Sequence, residues 1–485
     1  MREQAIQAPP TPASAGAAGA PARRLLALSF VKWPVVAIVV ILVSTLFVVA
    51  TRMRPAFDAY GWLVWGQQAL HLSLNTDGAP SWKPLTFLFS FPYALVGRGA
   101  MWLWMVTAVA ATLSGSVFAA RIAYRLTGAC PERRYAPVVA GVFAGLGVLG
   151  CDGYPHLVLI ANSDPMVVSL CLAVIDAHLS RRPRLAFVLL VLAALGRPEA
   201  WPFALLYAVW AWRALPSMRV LAVLGLAVIP ALSFGIPALT SKSWLRAGDL
   251  ALNSVNELHG GKFFGVIGRF LGLYPLAMWL AVLCALVLAV VRRDRVALTL
   301  AGAALLWVAI EIAFAYHGFS AVPRYMAEPA AVMIVLAGAA VGWVLEGSRR
   351  LSPLYGAAGV VAVVVLVAAL VPTARRRAQD LHAEISNAHH VSAQENALEA
   401  AISRDGAARI RACGQPISTL GNQSLLAWDV GMNVGDVGFR PGKSIDSGRP
   451  VVLFKARPAS WSVSAFNTPA ADRATCDRLR ITVRF

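Results

Sequence analysis

Charge is scarce in this chain. Asp, Glu, Lys and Arg together make up 14% of its 485 residues, against 58% apolar residues. Such a composition cannot coat a soluble globule and belongs to the polytopic membrane class. Acids are rarer still: 24 Asp and Glu stand against 43 Lys and Arg, a formal net charge of +19. The basic residues fall in short clusters between apolar runs, the pattern of loops that orient helices, which argues against a nucleic-acid partner. There are six cysteines, with no CxxC and no Cys–His pairing, so neither a metal nor a cofactor is expected. Cys413 and Cys476 share the polar C-terminal region and could bond if it lies outside the cell. No internal repeat is found, which disfavours an inverted-repeat transporter. No small-residue cleavage site follows the first apolar run, so that run is not expected to be a removable signal. Residues 1–30 are expected to form a disordered cytoplasmic N-terminus, since Met1–Arg24 is rich in Ala and Pro.

What the chain does have is apolar runs of membrane-spanning length, each needing about 20 residues to cross a core of about 30 Å. The first runs from about Trp33 to Ala50 behind Arg23, Arg24 and Lys32, which places the N-terminus inside. Later runs return to arginine clusters at Arg121, Arg125, Arg133 and Arg134, at Arg181, Arg182 and Arg184, at Arg292, Arg293 and Arg295, and at Arg349 and Arg350. Two arms of about 12 residues, or about 18 Å of helix, flank Arg197-Pro198-Glu199. That turn is therefore expected below the outer surface, where charges survive only against protein or a wet cavity. The reading is a polytopic α-helical membrane protein with about eleven spans over residues 31–372, its N-terminus inside and its C-terminus outside. Arg375, Arg376 and Arg377 follow the last span against the positive-inside trend, but a domain of about 110 residues is translocated largely regardless of charge. Residues 373–485 read as a small extracytoplasmic α/β or α+β domain, with an amphipathic helix over 393–413 and strands over 450–456 and 478–485.

The segment from Phe57 to Gly97, in a first external loop over residues 52–100, departs from membrane filler. It is rich in Trp and Tyr and carries an acid, Asp58, at its start and an isolated base, Lys83, further on. Asp58-Ala59-Tyr60, Gly66-Gln67-Gln68-Ala69, Lys83-Pro84-Leu85 and Val96-Gly97 follow one another there. Ser163-Asp164-Pro165, Leu195-Gly196-Arg197-Pro198-Glu199 and Pro323-Arg324-Tyr325 come later, all on the side read as external. In order and type this set resembles the GT-C-type polyprenyl-phosphate glycosyltransferases, the superfamily of protein O-mannosyltransferases and bacterial aminoarabinose transferases. The resemblance covers about residues 30–372 and adds nothing for the C-terminal domain. Ala59 stands where a second acid is usual, and one proline of the Lys-Pro-Pro-Leu element is missing. Loss of the paired acid argues against a metal-dependent version.

The resemblance implies a GT-C-like fold and an inverting membrane enzyme, in the plasma (inner) membrane, that moves a sugar from a polyprenyl-phosphate donor. The acceptor would be a saccharide, lipid or protein group on the outer face. Such transfer needs a base for the acceptor proton and cations for the leaving phosphate. Asp58 is expected as the base, with helix capping as its plainer role. Lys83, Arg324 and Tyr325 are expected at the donor phosphate, where the two cations could instead anchor to lipid headgroups. Asp164 is expected as a second catalytic acid or, more simply, as a helix cap. Tyr60, Arg197, Glu199 and His317 are expected to line the cavity, with His259, Lys242 and Arg246 as weaker candidates. Glu311, within a span, needs a partner. Trp62, Trp65, Trp102 and Trp104 read as an interfacial belt. A flippase for lipid-linked saccharides and a non-catalytic scaffold are the competing readings.

Overall fold

A computed structural model describes residues 20–128, 135–252, 256–351, 353–457, 460–476, 479 and 481–484. Residues 1–19, Cys130, Arg133, Arg134, Arg478, Arg480 and Phe485 lie outside the described residues, as do the side chains of residues 20–32 and 348–351.

Helices stand at each expected position. The first part of the chain forms α1 (Ala20–Thr51), α2 (Phe57–Leu70), α3 (Pro84–Tyr93), α4 (Gly99–Thr127), α5 (Tyr135–Leu149), α6 (Tyr154–Leu159), α7 (Asp164–Leu179), α8 (Pro183–Gly196) and α9 (Trp201–Ala214). Then come α10 (Arg219–Pro230), α11 (Ile236–Thr240), α12 (Arg246–Ala251), α13 (Lys262–Gly272), α14 (Leu276–Val291), α15 (Arg295–Tyr316), α16 (Ala327–Leu351) and α17 (Pro353–Asp405). Among the described residues, six helical segments are long and apolar enough to cross a membrane alone, or seven if α13 and α14, bent by 98°, count as one. The remaining apolar helices, α5 and α8 among them, are shorter.

The centre of the bundle is α16, whose apolar stretch is 89% buried. It packs against α4, α5, α7, α14 and α15. Small residues let these backbones close in: a Cβ on Gly338 would come within 2.8 Å of the Ala140 carbonyl oxygen. In lipid, where no hydrophobic force draws helices together, such close approach supplies the packing.

The segment between α1 and α4 folds back as two short helices, α2 and α3. They touch closely where Gly66 lies against the Ser90 carbonyl oxygen, which accounts for the small residue there. α2 is enclosed rather than interfacial. Trp62, Trp65 and Trp104 are fully buried, and Trp62 meets Trp104 edge-on at 5.4 Å. The interfacial-belt reading is therefore corrected: α2 is walled in by α3, α4 and the C-terminal domain, and of the four tryptophans only Trp102 is exposed.

The boundary placed at residue 372 falls inside one continuous helix. α17 runs for 53 residues, about 80 Å, more than twice the hydrocarbon thickness, so its charged C-terminal half stands beyond the bilayer. It leads into a domain made of α18 (Ala407–Cys413), α19 (Gln423–Val430) and a four-stranded sheet. Strands β1 (Gln415–Ile417), β2 (Val451–Arg457), β3 (Ser460–Phe466) and β4 (Ile481–Arg484) lie in that order, β1 parallel to β2 and the others antiparallel. Cys413 and Cys476 are disulfide-bonded.

This domain sits on the end of the bundle that carries α2. Asn433 Nδ2 donates to Gln68 Oε1 and to the Asn75 carbonyl, and Arg98 Nη1 contacts Glu399 at 2.7 Å and Asp429 at 3.2 Å. Arg377, of the arginine cluster after the last span, reaches the Leu273 carbonyl and Asp152 at this same end. The opposite end carries arginines at helix termini: Arg125 pairs with Asp176, and Arg292 with Glu346.

Candidate active site

Three helix termini and one short turn meet beneath α2. Lys83 precedes Pro84, the first residue of α3, in extended backbone, as a residue before proline should be. Asp164 opens α7 with Pro165 behind it. Asn162 Oδ1 accepts from the Asp164 backbone N–H, and Ser163 makes no side-chain cap. The Asp164 carboxylate is thus left for other partners. Arg197 leaves the end of α8 in extended backbone. Gly196 before it lies where a Cβ would meet Leu85 at 2.7 Å and Val167 at 2.8 Å, so a bare backbone is what brings Arg197 against α3 and α7. Arg324 and Tyr325 occupy the turn Pro323–Met326 before α16. That turn is held by Trp307 Nε1, which donates to the Tyr325 carbonyl, and by Arg269, which donates to the Ser320 and Ala321 carbonyls.

Asp164, 1% exposed, is the hub. Arg197 Nη2 lies 2.7 Å from its Oδ1, Lys83 Nζ 3.5 Å from the same oxygen, and Arg324 Nε 3.4 Å from Oδ2. Ser163 Oγ accepts from Lys83 Nζ at 3.3 Å, and the ammonium stands 5.5 Å over the Trp62 ring. Arg197 is buried and reaches further inward, to Glu328 at 3.6 Å and Glu199 at 3.8 Å, with its guanidinium 4.1 Å over the Tyr325 ring. Lys83 and Arg324 keep part of their surface open. One carboxylate therefore fixes three cations, of which two remain reachable by an anion.

Asp58 lies in the first turn of α2, half buried, near enough for its charge to act on Arg324. It is not the cap of that helix, since Ala56 holds that position. Glu199 and Glu311 are buried and lie near enough for their charges to act on one another. Glu328, buried in the first turn of α16, is the member the sequence reading missed. Its signal was an acid four residues beyond Arg324 at the head of an apolar helix.

Two expected residues are not brought in. Tyr60 points to the C-terminal domain, its hydroxyl donating to Glu395 at 2.6 Å. His317 caps α15 with its side chain exposed, and nothing among the described residues ties it to the cluster. Lys242 and Arg246 pair with Asp77, and His259 is exposed. Among the described residues no three His, Cys, Asp or Glu are gathered as a metal ion would require.

Beneath the cluster lies an apolar cavity of about 690 Å³ between α7, α9, α15 and α16. Glu328 bounds it at the site end and His178 and Arg295 near the other, with Val174, Phe203 and Trp307 along the wall.

No protein-family model matches the chain, and no curated protein matches it. Solved structures do. ArnT from Cupriavidus metallidurans bound to undecaprenyl phosphate superposes with a TM-score of 0.50 at 15% identity, over 88% of this chain and 93% of that one. The apo structure of the same protein gives 0.48 at 14% identity, over the same shares. The likeness to the undecaprenyl-phosphate complex assigns this chain a GT-C fold, the fold that its loop motifs resemble. It is a multi-pass membrane architecture with an added sheet domain.

Proposed function

We propose that this protein is a membrane glycosyltransferase that moves a sugar from a polyprenyl-phosphate donor to a hydroxyl or similar acceptor on the outer face. The observation that carries the reading is the cluster itself: two accessible cations, Lys83 and Arg324, held by a buried carboxylate, with an apolar cavity further along the bundle that Glu328 bounds. A lipid phosphate needs that combination, a cationic seat for its head beside apolar room for its chain. The fold shared with a protein solved with undecaprenyl phosphate supports it.

In this reading Asp58 accepts the acceptor's proton as the acceptor oxygen attacks the anomeric carbon. The bond from that carbon to the phosphate oxygen breaks, and polyprenyl phosphate leaves. The donor phosphodiester carries one negative charge and the departing monoester nearly two. Lys83 and Arg324 therefore bind the transition state more tightly than the ground state. A single displacement inverts the anomeric centre. Asp164 and Arg197 are positioning residues, holding the cations apart and aimed. The earlier expectation of Asp164 as an acid touching the acceptor gives way to this role, because its oxygens are taken up by three cations.

The outer-face assignment is supported by the Cys413–Cys476 disulfide in the domain on the site end, since such bonds persist in oxidising compartments, and by the arginines at the opposite end. The deciding experiment is Asp58→Asn in purified protein supplied with polyprenyl-phosphate sugars. Transfer or donor hydrolysis should fall by about a hundredfold or more. Turnover at the normal rate would remove Asp58 as the base.

A further inference from the structure

A second cavity, of about 260 Å³, opens where the C-terminal domain meets the bundle, and the chemistry just described does not use it. Its walls are Arg54, Tyr60, Arg98, Trp102, Glu395, Glu399, Trp428 and Asp429, from α2, α4, α17, α19 and the link between α1 and α2. We infer that this cavity, on the face of α2 away from Asp58, binds a neutral sugar unit.

Four observations lead there. First, Asp429 is 7% exposed, and its Oδ2 has no hydrogen-bond partner among the described residues while it lines the cavity. A buried, unmatched acceptor calls for a donor such as a ligand hydroxyl. Second, acceptors and donors alternate around the wall. Arg98 bridges Glu399 and Asp429, and Arg54 lies 3.9 Å from Glu395, which also takes the Tyr60 hydroxyl at 2.6 Å. Vicinal hydroxyls, each both donor and acceptor, match such a wall. Third, Trp102 is exposed at the rim, giving a flat face for the C–H side of a sugar ring, with the buried Tyr60 and Trp428 rings behind it, their centroids 6.4 Å apart. Fourth, the charges nearly balance. Three carboxyl groups and two guanidinium groups share the wall, so neither sign of charge dominates it, and no three acidic or His/Cys side chains among the described residues are gathered for a metal ion. The volume lies just under the roughly 300–1,000 Å³ of typical small-molecule sites, which suits one sugar ring rather than a long chain.

The saccharide pocket stands by itself and does not rest on the glycosyl-transfer reading. The test uses the full chain in lipid nanodiscs, titrated calorimetrically with methyl glycosides of arabinose, mannose, galactose and glucose, and with inorganic phosphate. At least one glycoside should bind with a dissociation constant of about 10 mM or tighter. Asp429→Asn should weaken it about tenfold, and Glu399→Gln, on the half-exposed rim, about threefold without lowering the melting temperature. Binding of phosphate without any glycoside, no glycoside binding, or equal binding in both variants would overturn the inference. Donor turnover measured on the same samples separates the two proposals. Asp58-dependent transfer without glycoside binding sinks the pocket alone. Glycoside binding without transfer sinks the enzyme reading and leaves the pocket standing.

Discussion

Arg197 Nη2 stands 2.7 Å from Asp164 Oδ1, and both side chains are almost wholly buried. Asp164 begins α7 and Arg197 follows the end of α8, so this contact ties two adjacent helices at their site ends. Removing one partner of a buried pair leaves an uncompensated charge, at a typical cost of about 3–5 kcal/mol. Asp164→Asn should therefore lower the melting temperature by several degrees and reduce transfer at least tenfold. Thermal unfolding and a donor-turnover assay on the same preparation check both effects. Full stability with full activity would refute the hub role.

Lys83→Gln and Arg324→Gln should act on turnover more than on donor affinity, because in the proposed reaction both cations meet their largest opposing charge as the phosphate departs. Each should cost about 10²–10³ in kcat. Steady-state kinetics with varied donor reads the split. A rise in KM alone would mean ground-state binding only.

Gly196→Val should destabilise the bundle by about 1–3 kcal/mol through overpacking, since a Cβ there meets Leu85 and Val167 below 3.0 Å. Because the clash displaces Arg197, activity should fall further than stability alone explains. Thermal unfolding paired with turnover per folded molecule measures this.

Docking of the C-terminal domain should weaken as pH rises. Burial pushes the Asp429 carboxyl up to about 7 against the pull of Arg98 and with the push of Glu399. Burial likewise pushes Glu395 up to about 8, against its hydrogen bond to Tyr60 and the charge of Arg54. Unfolded carboxyls titrate near pH 4, so both contributions are fully present below about 4. They decline as pH rises through 7 and 8, where the folded state must give up protons that the unfolded state has already lost. Hydrogen exchange of α19 between pH 5 and about 9, corrected for intrinsic rates, should show protection falling. An Asp429→Asn/Glu395→Gln variant should flatten the profile.

Reduction of the Cys413–Cys476 bond should destabilise the C-terminal domain by about 2–5 kcal/mol. Maleimide labelling of both thiols only after reductant, with thermal unfolding either side, checks the bond and its contribution.

Most of the cluster was legible: Arg197 and Glu199 stood out because charge is costly in a short apolar hairpin, and Lys83, Asp164 and Arg324 because they stand in the motifs of the resemblance; the structure gathers them. Glu328 was hidden as an ordinary first-turn acid of a helix. Tyr60 was misplaced for a geometric reason. It lies two residues from Asp58, about 200° around α2, so the two side chains leave opposite faces. The tryptophans gave no sign of being enclosed, because the C-terminal domain that closes over α2 comes from distant sequence. The break expected near residue 372 rested on a shift in composition. The residues beyond it, rich in Ala, Arg, Glu and Gln, are good helix formers with no glycine until Gly406, so α17 simply continues.

That helix makes a brace. Beyond Pro372, α17 runs on for roughly 50 Å to Asp405 and meets His156, Ala50, Arg54 and Arg98 on the way. It therefore lies across the end of the bundle and links the ends of α1, α4 and α6 under the C-terminal domain. Whatever that domain holds is thereby kept against the bundle.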